Sequence, residues 1–384
     1  MIRAYRNSPL APAHKAYVAS MWRGSIYIDH CAMEGLSSSG NIQGCPADAL
    51  IAILESKSIG PAIKWVDDFV FFRTPSSTFI DASGALGYSY PYNLDTVMKL
   101  TDPLGIPWHP INTKGQDFRS TVPYLGFVWD LELHSVSLSP KKHLKYLSKV
   151  RSLLHTTNSL VSQKDCMSIL GTLQHLSFVY KEGRSTLPPF SAFLAKFPND
   201  FSRRHATKPI YESLRWWEAV LTKSDCSRSL KPRQPFDPDL WVDASTNWGI
   251  GIIFGDNWYA WALTPGWKTD GRDIGWAESV ALELAVLILV DRNFHDCSVI
   301  IRGDNTSVIG AYEKGRSHNI PCNDSIRRIS SSIVPNNIMI VPTYIASTLN
   351  RADPISRGIL GPPHLRAVSP PALPPELSGF LRNV

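Results

Sequence analysis

The alternation of apolar and polar positions divides the chain into stretches of different period. Residues 1 to about 75 read as short strands and turns, ending in "IKWVDDFVFF" (residues 63–72), an apolar, β-branched and aromatic run of strand type. Ahead of it, "EGLSSSGNIQG" (residues 34–44) reads as a Gly/Ser turn, with a short helix near residues 47–56. Residues 92–105 read as helix, and "YLGFVWDLELHSVSLS" (residues 124–139) alternates like a hairpin. The period then becomes helical in "SPKKHLKYLSKVRSLL", where Ser139 is placed to cap, Pro140 opens the first turn, and Leu144, Leu147, Val150 and Leu154 form the apolar stripe. A second helix is expected over residues 164–179. Three prolines in "SLKPRQPFDPD" (residues 229–239) mark the best linker in the chain.

Beyond that point the pattern is mixed. Residues 240–263 alternate as two or three antiparallel strands, "LWVDAST", "WGIGIIFG" and "WYAWAL", followed by a helix over about 276–290. The strand "SVIIRGDN", another helix, the strand "IMIVPTYI" and the segment "NRADPISRG" complete an α/β region of about 120 residues. The Pro-rich end, "GPPHLRAVSPPALPPELSG", reads as an irregular tail. Eight of the twelve tryptophans lie between Trp216 and Trp276, so the change of period is also a change of composition.

Composition narrows the class. A chain of 384 residues is long enough for two or three domains with cores of their own, and 43% hydrophobic with 19% charged residues is globular. The formal charge of +6 permits a polyanionic partner without demanding one. Six scattered cysteines (Cys31, Cys45, Cys166, Cys226, Cys297, Cys322) form no C-x-x-C and lie near no histidine pair, which points to a reduced, intracellular setting without structural zinc. The longest apolar helix candidate carries Glu283 and is too short to span a bilayer, and the opening residues turn polar at once, unlike a secretory signal.

The chemistry rests on carboxylates in apolar surroundings. Asp67 and Asp68 interrupt the run 63–72; a tight turn would expose them at its tip, whereas a divalent cation would keep both deprotonated. Asp243 lies inside an apolar strand and Asp304 at a strand end, positions that are costly for a charge without a cation or donors. Each has a plain structural alternative. Asp243 can cap a turn with Ser245, Asp304 can sit in a turn beside Asn305, and Asp353 before Pro354 suits a helix N-cap. The helix from Pro140 carries Lys141, Lys142, Lys145, Lys149 and Arg151 without an acid, which suits either a solvated face or phosphate contacts.

Taken together, "VDAS" with the glycine hairpin "NWGIGIIFG", "WAESVALEL", "RGDNTSV" and "NRADPISRG" resemble the retroelement form of the RNase H fold over residues 238–358. The resemblance implies that Asp243, Glu278, Asp304 and Asp353 hold two Mg²⁺ (or Mn²⁺) ions for hydrolysis of the RNA strand of an RNA/DNA hybrid. Glu278 and Glu283 are about 140° apart around a helix, so one alone can face the site, and "AESVA" matches better at Glu278. "YIASTLNRAD" has no histidine where many RNases H carry one; Ser347 and Asn350 are the nearest polar substitutes.

Upstream, "WVDD" resembles the aromatic-x-Asp-Asp hairpin of a reverse transcriptase palm, which makes Asp67 and Asp68 catalytic metal ligands in that reading. "YLGFVWD" resembles the primer-grip region and the lysine helix the start of a thumb, with Lys141, Lys142, Lys145 and Lys149 on the substrate. "AYRNSPLAPAHKAYV" resembles the palm segment just downstream of the first catalytic aspartate, which in the family stands five residues before the aromatic of "AY", here Tyr5, itself assigned to substrate binding. That count falls one residue ahead of Met1. The arrangement is similar to the reverse transcriptase and RNase H of DIRS-type or Gypsy-like retrotransposons, N-terminally truncated.

The implied organisation is a multidomain α+β and α/β chain. It comprises a partial palm (1–138), a mainly helical thumb/connection (139–235), an RNase H-like mixed-sheet domain (236–360) and a Pro-rich tail (361–384). Its implied partners are an RNA/DNA hybrid and a single-stranded RNA template, without a membrane. The alternatives are a noncatalytic nucleic-acid-binding remnant of such an element and an unrelated cytosolic α/β enzyme. The second lacks support, since no phosphate loop, triad or dinucleotide fingerprint occurs.

Overall fold

The computed structural model describes residues 1–2, 4–155, 160–223 and 227–384; Cys226 lies outside the described residues. The chain forms two compact units, Met1–Tyr124 and Leu125–Val384.

In the first unit the helix Ser39–Ser56 packs through Leu50 and Leu54 on Ile59, Tyr92 and Val97, with Phe69, Phe71, Trp108 and Phe118 around them. This helix begins inside the segment expected as a turn. Its buried stripe runs Ser39, Gln43, Ala47, Leu50, Leu54, so the first two turns present polar residues to the interior and give no hydrophobic signal. The strands Ala62–Trp65 and Asp68–Phe71 pair antiparallel with Trp65 opposite Asp68, leaving Val66 and Asp67 as a two-residue turn in which Val66 has φ of 55°.

The second unit opens with the antiparallel strands Phe127–Asp130 and Ser135–Leu138, the latter also paired with Ser227–Ser229. The helices Pro140–Leu154, Gln163–Leu176 and Lys208–Lys223 enclose a core of Val150, Leu173, Leu176, Phe190, Leu214 and Trp217. Ser139 caps the first of these as expected, its hydroxyl accepting from the Lys142 amide at 3.4 Å. The expected stripe needs one correction: Leu144 is 67% exposed. The inward line instead runs through His143, whose Nε2 lies 2.7 Å from the Leu221 carbonyl, then Tyr146 or Leu147, Val150 and Leu154, which is the 3.6-residue period.

A six-stranded mixed sheet comes next. Its strands are β1 (Leu240–Ala244), β2 (Gly249–Phe254), β3 (Asn257–Leu263), β4 (Ser298–Gly303), β5 (Met339–Tyr344) and β6 (Leu381–Asn383), in the order β5-β4-β1-β2-β3-β6. β1 is antiparallel to β2 and parallel to β4; β4 and β5 are parallel, and β3 and β6 antiparallel. The helices are α1 (Ile274–Asp291), α2 (Thr306–Lys314), α3 (Ile320–Asn336) and α4 (Asp353–Ser356). Alternation along the strands separates two faces. Leu240, Val242, Ile250, Ile252, Tyr259 and Trp261 share a core with α1, while Trp258 and Ala260 pack with Ile355 of α4. The sheet and its flanking helices form the mixed-sheet α/β arrangement that the sequence implied.

Two segments are more ordered than their composition suggested. The expected linker is fastened to the sheet: Phe236 forms a parallel bridge with Val299, Asp237 takes both guanidinium nitrogens of Arg302, and Arg233 binds Asn337 at 2.8 Å. The expected tail supplies β6, because its prolines give way after Pro375 to Leu377 and Leu381, both buried.

Candidate functional site

The centre of the sheet brings together three of the four acids singled out in this region. Carboxylate oxygens of Asp243, Glu278 and Asp304 all lie within 4.8 Å of one another. Asp243 projects from β1 and is 3% exposed; Glu278, from the first turns of α1, is 7% exposed. Burial above all, and then Asp304 and Asp353 nearby, push the Asp243 carboxyl up to about 7, against the opposing hydrogen bond from Ser356. Burial, with Asp243 and Asp304 adding to it, pushes Glu278 up to about 9. The set is oxygen-only and anionic, and it suits a hard divalent cation, which would displace the protons that burial retains.

Neighbouring side chains fix these carboxylates. The Asn350 amide donates to Asp243 Oδ1 at 3.1 Å and to the Val242 carbonyl at 3.0 Å, the Ser356 hydroxyl donates to Asp243 Oδ2, and Ser347 donates to Asp304. Ser347 and Asn350, the substitutes expected for the missing histidine, thus both reach the cluster. The turn alternatives hold only in part. Ser245 donates to the Ser356 carbonyl rather than to Asp243, whereas Asp304 does sit in the bend that ends β4 beside Asn305, which caps α2 through the amides of Ser307 and Val308.

Gly251 of β2, the register partner of Asp243 on β1, explains how α4 reaches the site. A Cβ there would meet the Ser356 nitrogen at 2.5 Å and the Ala352 carbonyl at 2.7 Å, so only glycine lets α4 lie on the sheet with Ser356 against Asp243. Gly251→Val is expected to push α4 away, lowering the melting temperature of the chain and weakening its divalent-cation binding together, both readable by calorimetry.

Asp353 stands apart from the other three. It opens α4 without capping it, and its two oxygens are held by Arg357, at 2.9 Å from Nε to each and 2.7 Å from Nη2 to Oδ1. Glu283 points elsewhere. It is 1% exposed and bound by Arg328 (2.6 and 2.8 Å) and Ser325 (2.7 Å), so of the two glutamates on α1 it is Glu278 that faces Asp243. Sequence reasoning missed Ser356, Gly251 and Arg357 as site residues; Ser356 and Arg357 come three and four positions after Asp353, the spacing that shares a helix face.

In the first unit Asp67 and Asp68 are half-buried at the hairpin turn; Asp68 pairs with Lys114 at 3.4 Å, and the Met1 amino nitrogen donates to the Asp67 carbonyl at 2.6 Å. Tyr5 is half-buried in the 3-10 turn Ala4–Asn7. In the second unit Lys141 and Lys145 are exposed, and the Lys142 ammonium lies against Gly126, where a Cβ would come within 1.9 Å of it. Lys149 is occupied by the Ser168 carbonyl (2.6 Å), the Ser168 hydroxyl (2.7 Å) and Thr172 (2.8 Å), and Arg151 by Glu218 at 2.9 Å. Two of the five cations on that helix are thus tied into the fold.

No family model matches the chain, and no curated protein does. Solved structures do match. One is a foamy viral protease-reverse transcriptase in complex with an RNA/DNA hybrid, at 15% identity and a TM-score of 0.46, covering 97% of this chain and 46% of that one. Two others are a foamy viral protease-reverse transcriptase dRH in complex with double-stranded DNA (14% identity, TM-score 0.40, 89% and 55% covered) and a foamy viral protease-reverse transcriptase with double-stranded DNA (15%, 0.39, 88% and 64%). The chain therefore spans less than two thirds of the length of each.

Proposed function

We propose that residues 236–360 hydrolyse the RNA strand of an RNA/DNA hybrid with Mg²⁺ or Mn²⁺, in a chain derived from the reverse transcriptase/RNase H region of a DIRS-type or Gypsy-like retrotransposon. The observation that carries this reading is the convergence of Asp243, Glu278 and Asp304, two of them buried and protonation-prone, at the middle of a mixed sheet. In it, Asp243, Glu278, Asp304 and Asp353 would hold the cations, which when bound would supply an acidified water and positive charge at the leaving 3′-oxygen. The chain's own part is orientation. Asn350 and Ser356 fix the Asp243 oxygens and Ser347 fixes Asp304, as outer groups do around metal ligands. The test is cleavage of an end-labelled hybrid by the full chain: RNA fragments are expected with Mg²⁺ or Mn²⁺ and none with chelator. Binding without cleavage under either metal would favour the noncatalytic remnant instead.

In the same reading residues 1–138 are a partial palm and 139–235 a thumb/connection, whose lysine helix tracks the nucleic-acid backbone. Lys141 and Lys145, being exposed, are the free phosphate ligands on it, with Lys142 beside the turn at Gly126. Replacing Lys141 and Lys145 by Gln is expected to reduce the salt slope of hybrid binding by about two counterions. Replacing Lys149 is expected to act on stability instead, because it ties the helices Pro140–Leu154 and Gln163–Leu176 together. Fluorescence anisotropy across a salt series reads the first, and thermal unfolding the second.

A further inference from the structure

Of the four acids around the candidate centre, three present their oxygens to one another and the fourth is covered. Asp353 is held on both oxygens by Arg357, a planar fork matched to a carboxylate. The cover is external rather than part of the core: the Arg357 side chain is 61% exposed and that of Asp353 26%. The backbone beneath does not move freely, because Ala352 is fully buried and α4 rests on Gly251. Asp353 nevertheless stands at the rim of the cluster, because the Ser356 hydroxyl donates both to Asp243 and to the Asp353 carbonyl, the latter at 2.9 Å. The arginine that holds it also feels Asp243 and Asp304. A cation arriving at Asp243, Glu278 and Asp304 meets no ion pair on them among the described residues, only the donors Asn350, Ser356 and Ser347. One that needs Asp353 meets Arg357.

We propose that Arg357 is a built-in counter-cation that competes with the second divalent ion for Asp353, so that the centre loads its ions in order: first at Asp243, Glu278 and Asp304, then at Asp353 once the guanidinium has swung away. This rests on the metal-dependent reading of the centre. An exposed ion pair of this type is weak enough for a divalent ion to displace and strong enough to shift the concentration at which it does so.

The test is Mn²⁺ binding to the full chain, monitored by the electron paramagnetic resonance signal of free Mn²⁺, for the wild type and for Arg357→Gln, Arg357→Lys and Asp353→Asn. Circular dichroism confirms that each variant is folded. The wild type is expected to show a tighter and a weaker class of site. Arg357→Gln should tighten the weaker class by roughly two- to fivefold, the range open to an exposed ion pair, and tighten the other class less, since Arg357 reaches Asp243 and Asp304 only through space. Arg357→Lys should fall between, since an ammonium cannot cover both oxygens, and Asp353→Asn should remove the weaker class. A weaker class that is unchanged or further weakened in Arg357→Gln, with two classes in the wild type, overturns the competition alone. Absence of Mn²⁺ binding from the folded wild type overturns the metal reading and the competition with it.

Discussion

Asp243→Asn is expected to cut cleavage of the hybrid's RNA strand steeply while leaving a folded chain that, without metal, is more stable than the wild type at pH 8. The loss comes from unbalancing a charge clamp that contributes several kcal/mol to the transition state, which corresponds to a fall of about 10²- to 10³-fold. The gain comes from burial. Asp243 is held at about 7 and Glu278 at about 9, both above the range of about 4 for an unfolded carboxyl. Between those limits the folded chain binds more protons than the unfolded one, so its stability falls as pH rises from about 4 toward 9. An asparagine has no proton to lose, and it can still accept from Asn350 and donate to Ser356. The metal-free variant should therefore escape part of that decline, with the difference vanishing below pH 4 and with saturating Mg²⁺ reversing it in the wild type. Thermal unfolding at pH 4 and 8, with and without chelator, reads all of this. Glu278→Gln should behave like Asp243→Asn. Glu283→Gln should instead strand Arg328 in a buried position and lower the melting temperature at pH 8, because it removes one partner of a buried ion pair, and the difference should shrink at pH 4, where burial favours the neutral Glu283 carboxyl. Wild-type cleavage by Asp243→Asn would remove the nuclease assignment.

Primer extension by a chain that carries a fingers region and an aspartate joined ahead of Met1 is expected to depend on Asp67, with Asp67→Asn abolishing it. The palm reading needs three carboxylates, two at Asp67 and Asp68 and one that joins both ions, and the pattern puts the third five residues before Tyr5. Loss of any of the three leaves the 3′-hydroxyl and the triphosphate out of line, and alignment with charge neutralisation is most of the catalysis in phosphoryl transfer. The hairpin that carries the pair is formed, and the Met1 nitrogen lies on the Asp67 carbonyl, so residues joined ahead of Met1 begin beside the pair. Asp29, a conceivable stand-in, is already engaged. The Cys31 amide and the Arg6 guanidinium hold its carboxyl below the usual range. Primer extension that survives Asp67→Asn in that chain would overturn the palm reading.

The legible parts of the sequence were those where chemistry and period coincide. Asp243 was visible because a charge interrupts an apolar strand, and the helix from Pro140 because its cap, proline and charge pattern agree. The start of the helix Ser39–Ser56 was hidden because Ser39 and Gln43 fill its buried face, and sequence patterns treat such residues as turn formers. Leu144 misled because a leucine one position from the true inward line looks like part of it. The proline-rich segments misled in the opposite direction: Asp237 with Arg302, and β6 with β3, are pairings between residues far apart in sequence that local composition cannot reveal. The same limit hid Gly251, whose importance lies in the helix that rests on it.

The candidate centre draws on positions 243, 278 and 304, and the strand that carries Asp243 completes its pairing only when β4, some sixty residues later, docks parallel to it. Parallel pairing of this kind closes long loops and is slow relative to hairpin formation. Cation affinity should accordingly appear late during refolding, after β1, β2 and β3 have formed their meander. A divalent ion would then act thermodynamically on the finished topology alone, stabilising it by mass action while leaving the earlier, hairpin-only species unassisted.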